Sequence, residues 1–459
     1  MAGIGFELRR LLAAGTYSSV LKAFGTAGLI GAGPLAISVI GIFSVGLLTS
    51  SSGLATPFVA QFQLSVTYLM AGSLIFTSPF QLMLARFVAD CLFRREPELI
   101  LPNLLGVSVV VTIGGGALAL ALITCCFGGS WLYRILMLSG FLLLNNIWLV
   151  ITLLSSVKAW RMILAAFALG YGATVGLAYG LKGYGLDGLI LGFIVGQGLL
   201  FLLVLVALVR SYPLRSAPCF AFVESAGGYA TLALAGLVHS IAVWADKFIF
   251  WADPRTGVEL LGALRYSPIY DTPVFIAYLS LIPGMAVFLL RVETDFAEKY
   301  DAYYGAIRAG CTLAELMRRK AEMALAIREG LFDLVKVQGA FALILIWAGD
   351  GLLGWLGIST LQKPLFDVFI VAVWLQLLLM AINNVLYWFD KQVSALWLAL
   401  LFLSANSALT HLSLLGGVAF YGYGFALALM LTSGVGLLVL RRTLDDLEYE
   451  TFMLQKVRV

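Results

Sequence analysis

The residues best placed to do chemistry lie in Gly227–Ala252, GGYATLALAGLVHSIAVWADKFIFWA, an apolar stretch that carries His239, Asp246 and Lys247. About 20 apolar residues cross a bilayer at 1.5 Å rise each, so this stretch is read as a span. An ionisable group inside a span costs roughly 2.5–3.5 kcal/mol on insertion scales, so it is expected to face a bundle interior or a wet path. Adjacent helical residues point about 100° apart, so spacing alone does not pair Asp246 with Lys247. Three readings stay open. Both groups sit near the outer end and reach the headgroups, or one of them lines a polar pathway, or they hold a neighbouring helix.

The other polar residues inside apolar segments are few: Asn145, Asn146, Asn383, Asn384, Asp350, Gln197 and Arg134. An amide both donates and accepts, which suits hydroxyl-rich ligands. Trp148, Trp244 and Tyr387 lie at similar levels and offer faces for sugar rings. Trp251 and Trp388 are read instead as interface anchors, where Trp and Tyr normally enrich. Asparagine pairs also join helices, worth about 0.6 kcal/mol each. Together these residues suit a passage, and none is nominated as catalytic. No GxxxxGK[ST] loop occurs, two histidines leave little room for a proton relay, and Cys91, Cys125, Cys126, Cys219 and Cys311 have no metal or redox spacing. No metal, cofactor or nucleic acid is expected.

These side chains need helices to hold them. Of 459 residues, 61% are hydrophobic and 12% charged, against about 25% charged in soluble domains. The expectation is an all-α polytopic membrane protein in contact with lipid. Twelve spans fall near 24–48, 61–85, 101–127, 132–156, 159–181, 187–209, 227–252, 272–290, 339–359, 365–388, 393–413 and 418–440. Twenty-three of the 29 basic residues lie in the even-numbered loops and tails and five in the odd-numbered loops, which puts both termini in the cytoplasm. Net charge +4 therefore reports orientation. No cleavable signal is expected at the start; residues 1–23 are read as a cytoplasmic interfacial helix, with Ile4, Leu8, Leu11 and Leu12 on one face.

The chain reads as duplicated. Pro79, Arg86 and Asp90 match Pro283, Arg291 and Asp295 at an offset of 204–205, and Asn145-Asn146 match Asn383-Asn384 at 238. One insertion of about 34 residues between spans eight and nine reconciles the two offsets. Two six-helix lobes related by a parallel repeat follow: 24–210 and 227–440, joined by a linker at 211–226, with a tail at 441–459. The insertion, 291–338, reads as helix, opened by Thr312 and Glu315 at capping-box spacing. Leu313, Leu316, Met317, Ala324, Ile327, Leu331 and Leu334 recur near helical period. It suits an amphipathic helix on the membrane surface, or a docking surface in which Arg308, Arg318, Arg319, Lys320 and Arg328 meet a cytoplasmic partner. Gly31-Ala32-Gly33-Pro34 and Pro283-Gly284 loosen two spans, as hinges or as packing kinks.

The opening MAGIGFELRRLL, the following GLIGAGPLAISVIGI, the twelve-span two-lobe plan and the segment ADKFIFW resemble the PelG family, over essentially the whole chain. Asp246-Lys247 also resembles an Asp-Arg/Lys pair of polysaccharide exporters. The resemblance implies an inner-membrane transporter of the Pel exopolysaccharide, within the multidrug/oligosaccharidyl-lipid/polysaccharide (MOP) flippase superfamily. It implies a growing N-acetylgalactosamine-rich polymer as substrate, a biofilm matrix as destination, and later deacetylation, so that the chain in transit is largely uncharged. It also implies partners: a PelF-like cytosolic glycosyltransferase and PelD-like and PelE-like membrane proteins. It carries no residue roles. Other readings are a cation-coupled multidrug antiporter, a lipid-linked oligosaccharide flippase, or a scaffold for the synthase. An antiporter needs acidic residues within spans, and only Asp246 and Asp350 qualify. A flippase for a pyrophosphate lipid needs a cationic cavity, for which Lys247 and Arg134 are few.

Overall fold

The computed structural model describes residues 16–51, 56–156, 159–212, 218–224 and 226–453. Of the expected interfacial helix at residues 1–23, residues 1–15 lie outside them, and residues 17–23 are the start of the first spanning helix. Twelve helices among the described residues are long and apolar enough to cross a membrane. The chain is a multi-pass membrane protein. In order these are α1 (Tyr17–Ser51), α2 (Thr56–Arg94), α3 (Ile100–Cys126), α4 (Trp131–Ser156), α5 (Trp160–Gly180), α6 (Gly185–Ser211) and α7 (Ala226–Ala252). A hairpin of β1 (Val258–Leu261) and β2 (Leu264–Tyr266) follows, antiparallel, with Glu259 opposite Arg265. The eighth span is built in pieces: α8 (Pro268–Tyr278), α9 (Leu281–Leu290), a π-helical turn (Arg291–Phe296) and α10 (Ala297–Arg308). Then come α11 (Leu313–Trp355), α12 (Lys363–Trp388), α13 (Gln392–Leu415), α14 (Tyr423–Asp445) and the short α15 (Leu447–Met453).

Proline decides where a span bends, because it withholds one backbone donor and frees the carbonyl four residues earlier. In α2 the carbonyl freed by Pro79 is that of Ile75, which accepts the Ser78 hydroxyl at 2.8 Å, and the helix runs on unbroken. At Pro283 the outcome differs. The helix opens at Leu279 and Ser280, which make only short-range turns to Ile276 and Ala277. The side chain of Gln338 on α11 fills the opening. Its Oε1 accepts from Gly284 N at 2.9 Å and its Nε2 donates to Ser280 O at 2.8 Å, with Gln338 fully buried.

Contacts divide the chain into two compact units, Gly33–Asp271 and Met1–Ala32 with Thr272–Val459. The boundary crosses α1 one residue before Pro34. The first half of α1 thus packs with the later spans, where Gly28 and Gly31 allow α9 to come close: a Cβ on Gly28 would lie 3.3 Å from Ile282 O. Helix α7 and the hairpin pack with the earlier spans, so α7 and the first half of α1 each belong to the other half's unit.

Within each unit the tightest helix pair is built on small residues. Gly188, Gly192 and Gly196 of α6 face Gly170, Thr174 and Ala178 of α5, all buried. A Cβ on Gly192 would strike the backbone of Leu177 and Ala178. In the other unit Gly424, Ala428 and Thr432 of α14 meet α13, where Asn406, Thr410 and Ser413 are buried and a Cβ on Gly424 would strike Leu409 and Thr410. Lipid supplies no hydrophobic drive between helices, so close van der Waals contact must hold them.

The polar insertion does not form a separate surface helix. Helix α11 runs 43 residues, about 65 Å at 1.5 Å per residue, more than twice the roughly 30 Å hydrocarbon core. Its first half is the insertion, continuing the ninth span, and α10 packs back on it through Lys299 and Glu322 at 3.4 Å. Thr312 caps α11 by accepting from Glu315 N at 3.3 Å. Leu316, Met323, Ile327, Leu331 and Leu334 are buried, while Leu313 and Met317 are exposed.

Gly192→Leu should lower the apparent melting temperature in detergent, with an overpacking loss of about 1–3 kcal/mol or more. Gly198→Leu on the same helix, where a Cβ meets nothing within 4 Å, should leave it unchanged. Thermal unfolding read by size-exclusion chromatography compares the two.

Candidate functional site

The residues singled out from sequence fall into four places. In the unit Gly33–Asp271, Asp246 and Lys247 lie one turn and a half before the end of α7. Both are buried, and contrary to the spacing argument they pair with each other: Lys247 Nζ stands 3.1 Å from Asp246 Oδ2. The long lysine side chain folds back to reach its neighbour and also donates to Val243 O at 3.2 Å. Neither group is exposed on the protein surface. The Tyr270 hydroxyl donates to Asp246 Oδ2 at 2.8 Å, and its ring stacks on Phe250 with centroids 3.8 Å apart. Trp244 is half-buried beside the lysine, 5.7 Å from its ammonium to the ring centroid.

A second acid joins this end, and sequence reading missed it. Asp271, at the start of the eighth span, accepts the Trp251 indole N–H on both oxygens at 2.9 Å and the Ser267 amide at 3.0 Å. Trp251 is only 2% exposed, so it is a buried donor and not an interface anchor. It stacks on Tyr68 with centroids 4.9 Å apart, and the Tyr68 hydroxyl bonds to Arg265 O at 2.9 Å. The Arg265 guanidinium closes the end of α7 by donating to Ala252 O and Gly257 O, each at 3.0 Å. The hairpin is therefore the lid of a polar cluster. No spacing signal could have joined Tyr68, Asp246 and Asp271, which lie on three helices and are linked through Trp251 and Tyr270.

The mid-span polar layer of the same unit lies on α4. Trp148 donates its indole N–H to Ser73 on α2 at 3.0 Å, and Asn146 donates to Thr112 on α3 at 3.0 Å. Asn145 is fully buried, and its amide has no hydrogen-bond partner among the described residues. Gln197 and Tyr171 are both buried, and Gln197 Nε2 has no hydrogen-bond partner among the described residues. Arg134 is separate from all of these, half-buried in the first turn of α4.

In the other unit Asn383 is buried and Asn384 Nδ2 donates to Glu293 in the π-helical turn at 3.2 Å, with Tyr387 half-buried a turn later. Helices α4 and α12 are each 26 residues long. The asparagines stand at the fifteenth and sixteenth positions of α4 and six residues further along α12, or about 9 Å along the helix axis. The Pro-Arg-Asp matches form the same contact: Arg86 lies 3.5 Å from Asp90 and Arg291 lies 3.0 Å from Asp295, each at i,i+4. Asp90 also accepts from the Tyr229 hydroxyl, and Arg291 reaches Asp333 at 2.8 Å. Asp350 is exposed near the far end of α11.

The proposed docking arginines divide. Arg318 and Arg319 are held by Glu315 at 2.7 and 2.8 Å, and Lys320 by Glu448. Arg308 and Arg328 are exposed and make no ion pair among the described residues. No group of three or more His, Cys, Asp or Glu that could hold a metal occurs among the described residues.

This arrangement of twelve helices is that of a transporter fold. An outward-facing multidrug resistance MATE family transporter of the MOP superfamily superposes with TM-score 0.66 at 14% identity, over 93% of this chain and 97% of that one. An inward-facing member gives TM-score 0.58 at 14% identity, over 91% and 95%. A MATE protein in its bent conformation gives 0.63 at 14% identity, over 98% and 99%. The fold is thus of the MOP type. Residues 1–452 match the family model PelG, described as "Putative exopolysaccharide Exporter (EPS-E)", and the chain belongs to that family. A comparison with curated proteins gives no match.

Lys247→Ala should destabilise the protein by about 3–5 kcal/mol, because it leaves Asp246 buried and unbalanced. The double variant Asp246→Leu with Lys247→Met should recover most of that loss. A double-mutant cycle on melting temperature checks this, and strictly additive losses would remove the pair from the stability of this end.

Proposed function

We propose that this protein carries a growing, N-acetylgalactosamine-rich exopolysaccharide of the Pel type across the bacterial inner membrane, with both termini in the cytoplasm. The observation that carries the reading is the family match over residues 1–452 on a chain with a MOP-type fold. The orientation follows from the basic residues, 23 of 29 of which lie on one side.

The chemistry of the interior agrees. A cation-coupled antiporter needs exposed or accessible carboxylates within its spans. Here Asp246 is neutralised by Lys247 and Asp271 is occupied by Trp251 and Ser267, which leaves Asp350, exposed near the far end of α11, as the one accessible acid of the two that qualified. What the mid-span layer offers is amides, hydroxyls and indoles: Asn145, Asn146, Thr112 and Trp148. Such groups suit an uncharged, hydroxyl-bearing chain. A PelF-like glycosyltransferase, with PelD-like and PelE-like membrane proteins, meets the hairpin of α10 and α11, where Arg308 and Arg328 stand clear. Polymer synthesis on the cytoplasmic side then feeds the transporter directly.

Deleting the gene in its host should abolish surface polymer stained by an N-acetylgalactosamine-binding lectin, while soluble glycosyltransferase activity persists. Unchanged surface polymer would reject the reading. Arg308→Glu with Arg328→Glu should reduce co-purification of the glycosyltransferase at least several-fold at normal protein level. Unchanged co-purification would remove this hairpin as the docking surface.

A further inference from the structure

At the end of the unit Gly33–Asp271 that carries its short odd-numbered loops, the surface forms an open cleft of about 520 Å³. It is formed where the starts of α2, α4 and α6 come together. Phe58 and Tyr184 line it with exposed rings, Tyr184 being 77% exposed. Gln61, Ser130, Lys182 and Asp187 complete its polar side.

Each group is held in place by the local backbone. Ser130 caps α4 by accepting from Tyr133 N at 3.0 Å, and its own hydroxyl donates to Asp187 at 3.0 Å. Gly185 has φ +63°, a turn that an L side chain resists, and it lets α6 start directly behind Phe58: a Cβ there would lie 3.7 Å from the ring. Lys182 rests over the Tyr179 ring at 4.1 Å. Gln61 reaches Leu260 O of the hairpin at 3.4 Å.

We propose that this cleft is a sugar-binding subsite on the extracytoplasmic face, which receives neutral N-acetylhexosamine units of the polymer as they leave. The inference rests on the transport reading above. Three observations carry it. The volume is that of a small-molecule site, which typically spans 300–1,000 Å³. Two exposed aromatic rings beside an amide, a hydroxyl and a carboxylate offer apolar faces and hydrogen bonds together, as a pyranose ring does. One cation and one anion line it, so it favours neither an anionic nor a cationic ligand.

The test uses the full-length protein in nanodiscs and saturation-transfer NMR with an N-acetylgalactosamine tetrasaccharide. Wild type should show transfer, Tyr184→Ala and Gln61→Ala should each reduce it at least five-fold, and Tyr184→Phe should keep it within two-fold. Tyr184 is a surface residue, so unchanged elution and melting temperature will show that the variant is folded. No transfer to wild type, or equal transfer to Tyr184→Ala and Gln61→Ala, would overturn the subsite and leave these aromatics as interface anchors only. If the gene deletion abolishes surface polymer while these variants bind and export normally, the subsite fails and the transport reading stands. If the deletion leaves surface polymer unchanged, the transport reading fails first.

Discussion

A chain that crosses lipid twelve times has no water at mid-depth to satisfy its peptide groups, so every break in a helix must be closed by protein. Gln338 shows what that demands. Span eight loses its regular ladder at Leu279–Ser280, and one buried amide on the neighbouring helix supplies both a donor and an acceptor across the gap. The joint of α8, α9 and α11 depends on that side chain. In α2 a serine suffices, because Pro79 frees a single carbonyl and Ser78 is next to it. The same residue type, proline, thus gives a continuous helix in one place and a segmented one in the other. The difference lies in what stands beside it.

The same accounting governs the charges. Asp246 and Lys247 cancel each other in a buried pair, and Asp271 is held by an indole and an amide under the β-hairpin. These groups order the last turns of α7 as paired or hydrogen-bonded charge. A neutral polymer meets no strong electrostatic trap in such surroundings, whereas a cation-coupled mechanism finds few carboxylates at its disposal. Structural use of the ionisable residues and transport of an uncharged substrate are therefore consistent with one another.

Close helix packing supplies the rest of the order. The rows of small residues on α6 and α14 bring each against its partner helix in the same way, in two units that share little else in sequence. These rows recur at corresponding helices of the two halves, whereas the asparagine pairs fall six residues apart along their helices. The arginine–aspartate contacts on spans two and eight recur likewise.

Composition and hydropathy by themselves determined that the chain is helical, that it spans a membrane and that it does so twelve times, because each of these depends only on local apolar length. The capping of α11 at Thr312 was legible for the same reason, as was helix in the insertion. Tertiary structure alone decided the direction of that helix, which prolongs a span and buries Leu316, Met323, Ile327, Leu331 and Leu334 within the protein. It alone paired Asp246 with Lys247, turned Trp251 inward to Asp271, and gathered Phe58, Ser130 and Tyr184 around one open cleft. Those groups are far apart in the chain or badly spaced along a helix, and only the closing of loops around packed helices brings their atoms within reach.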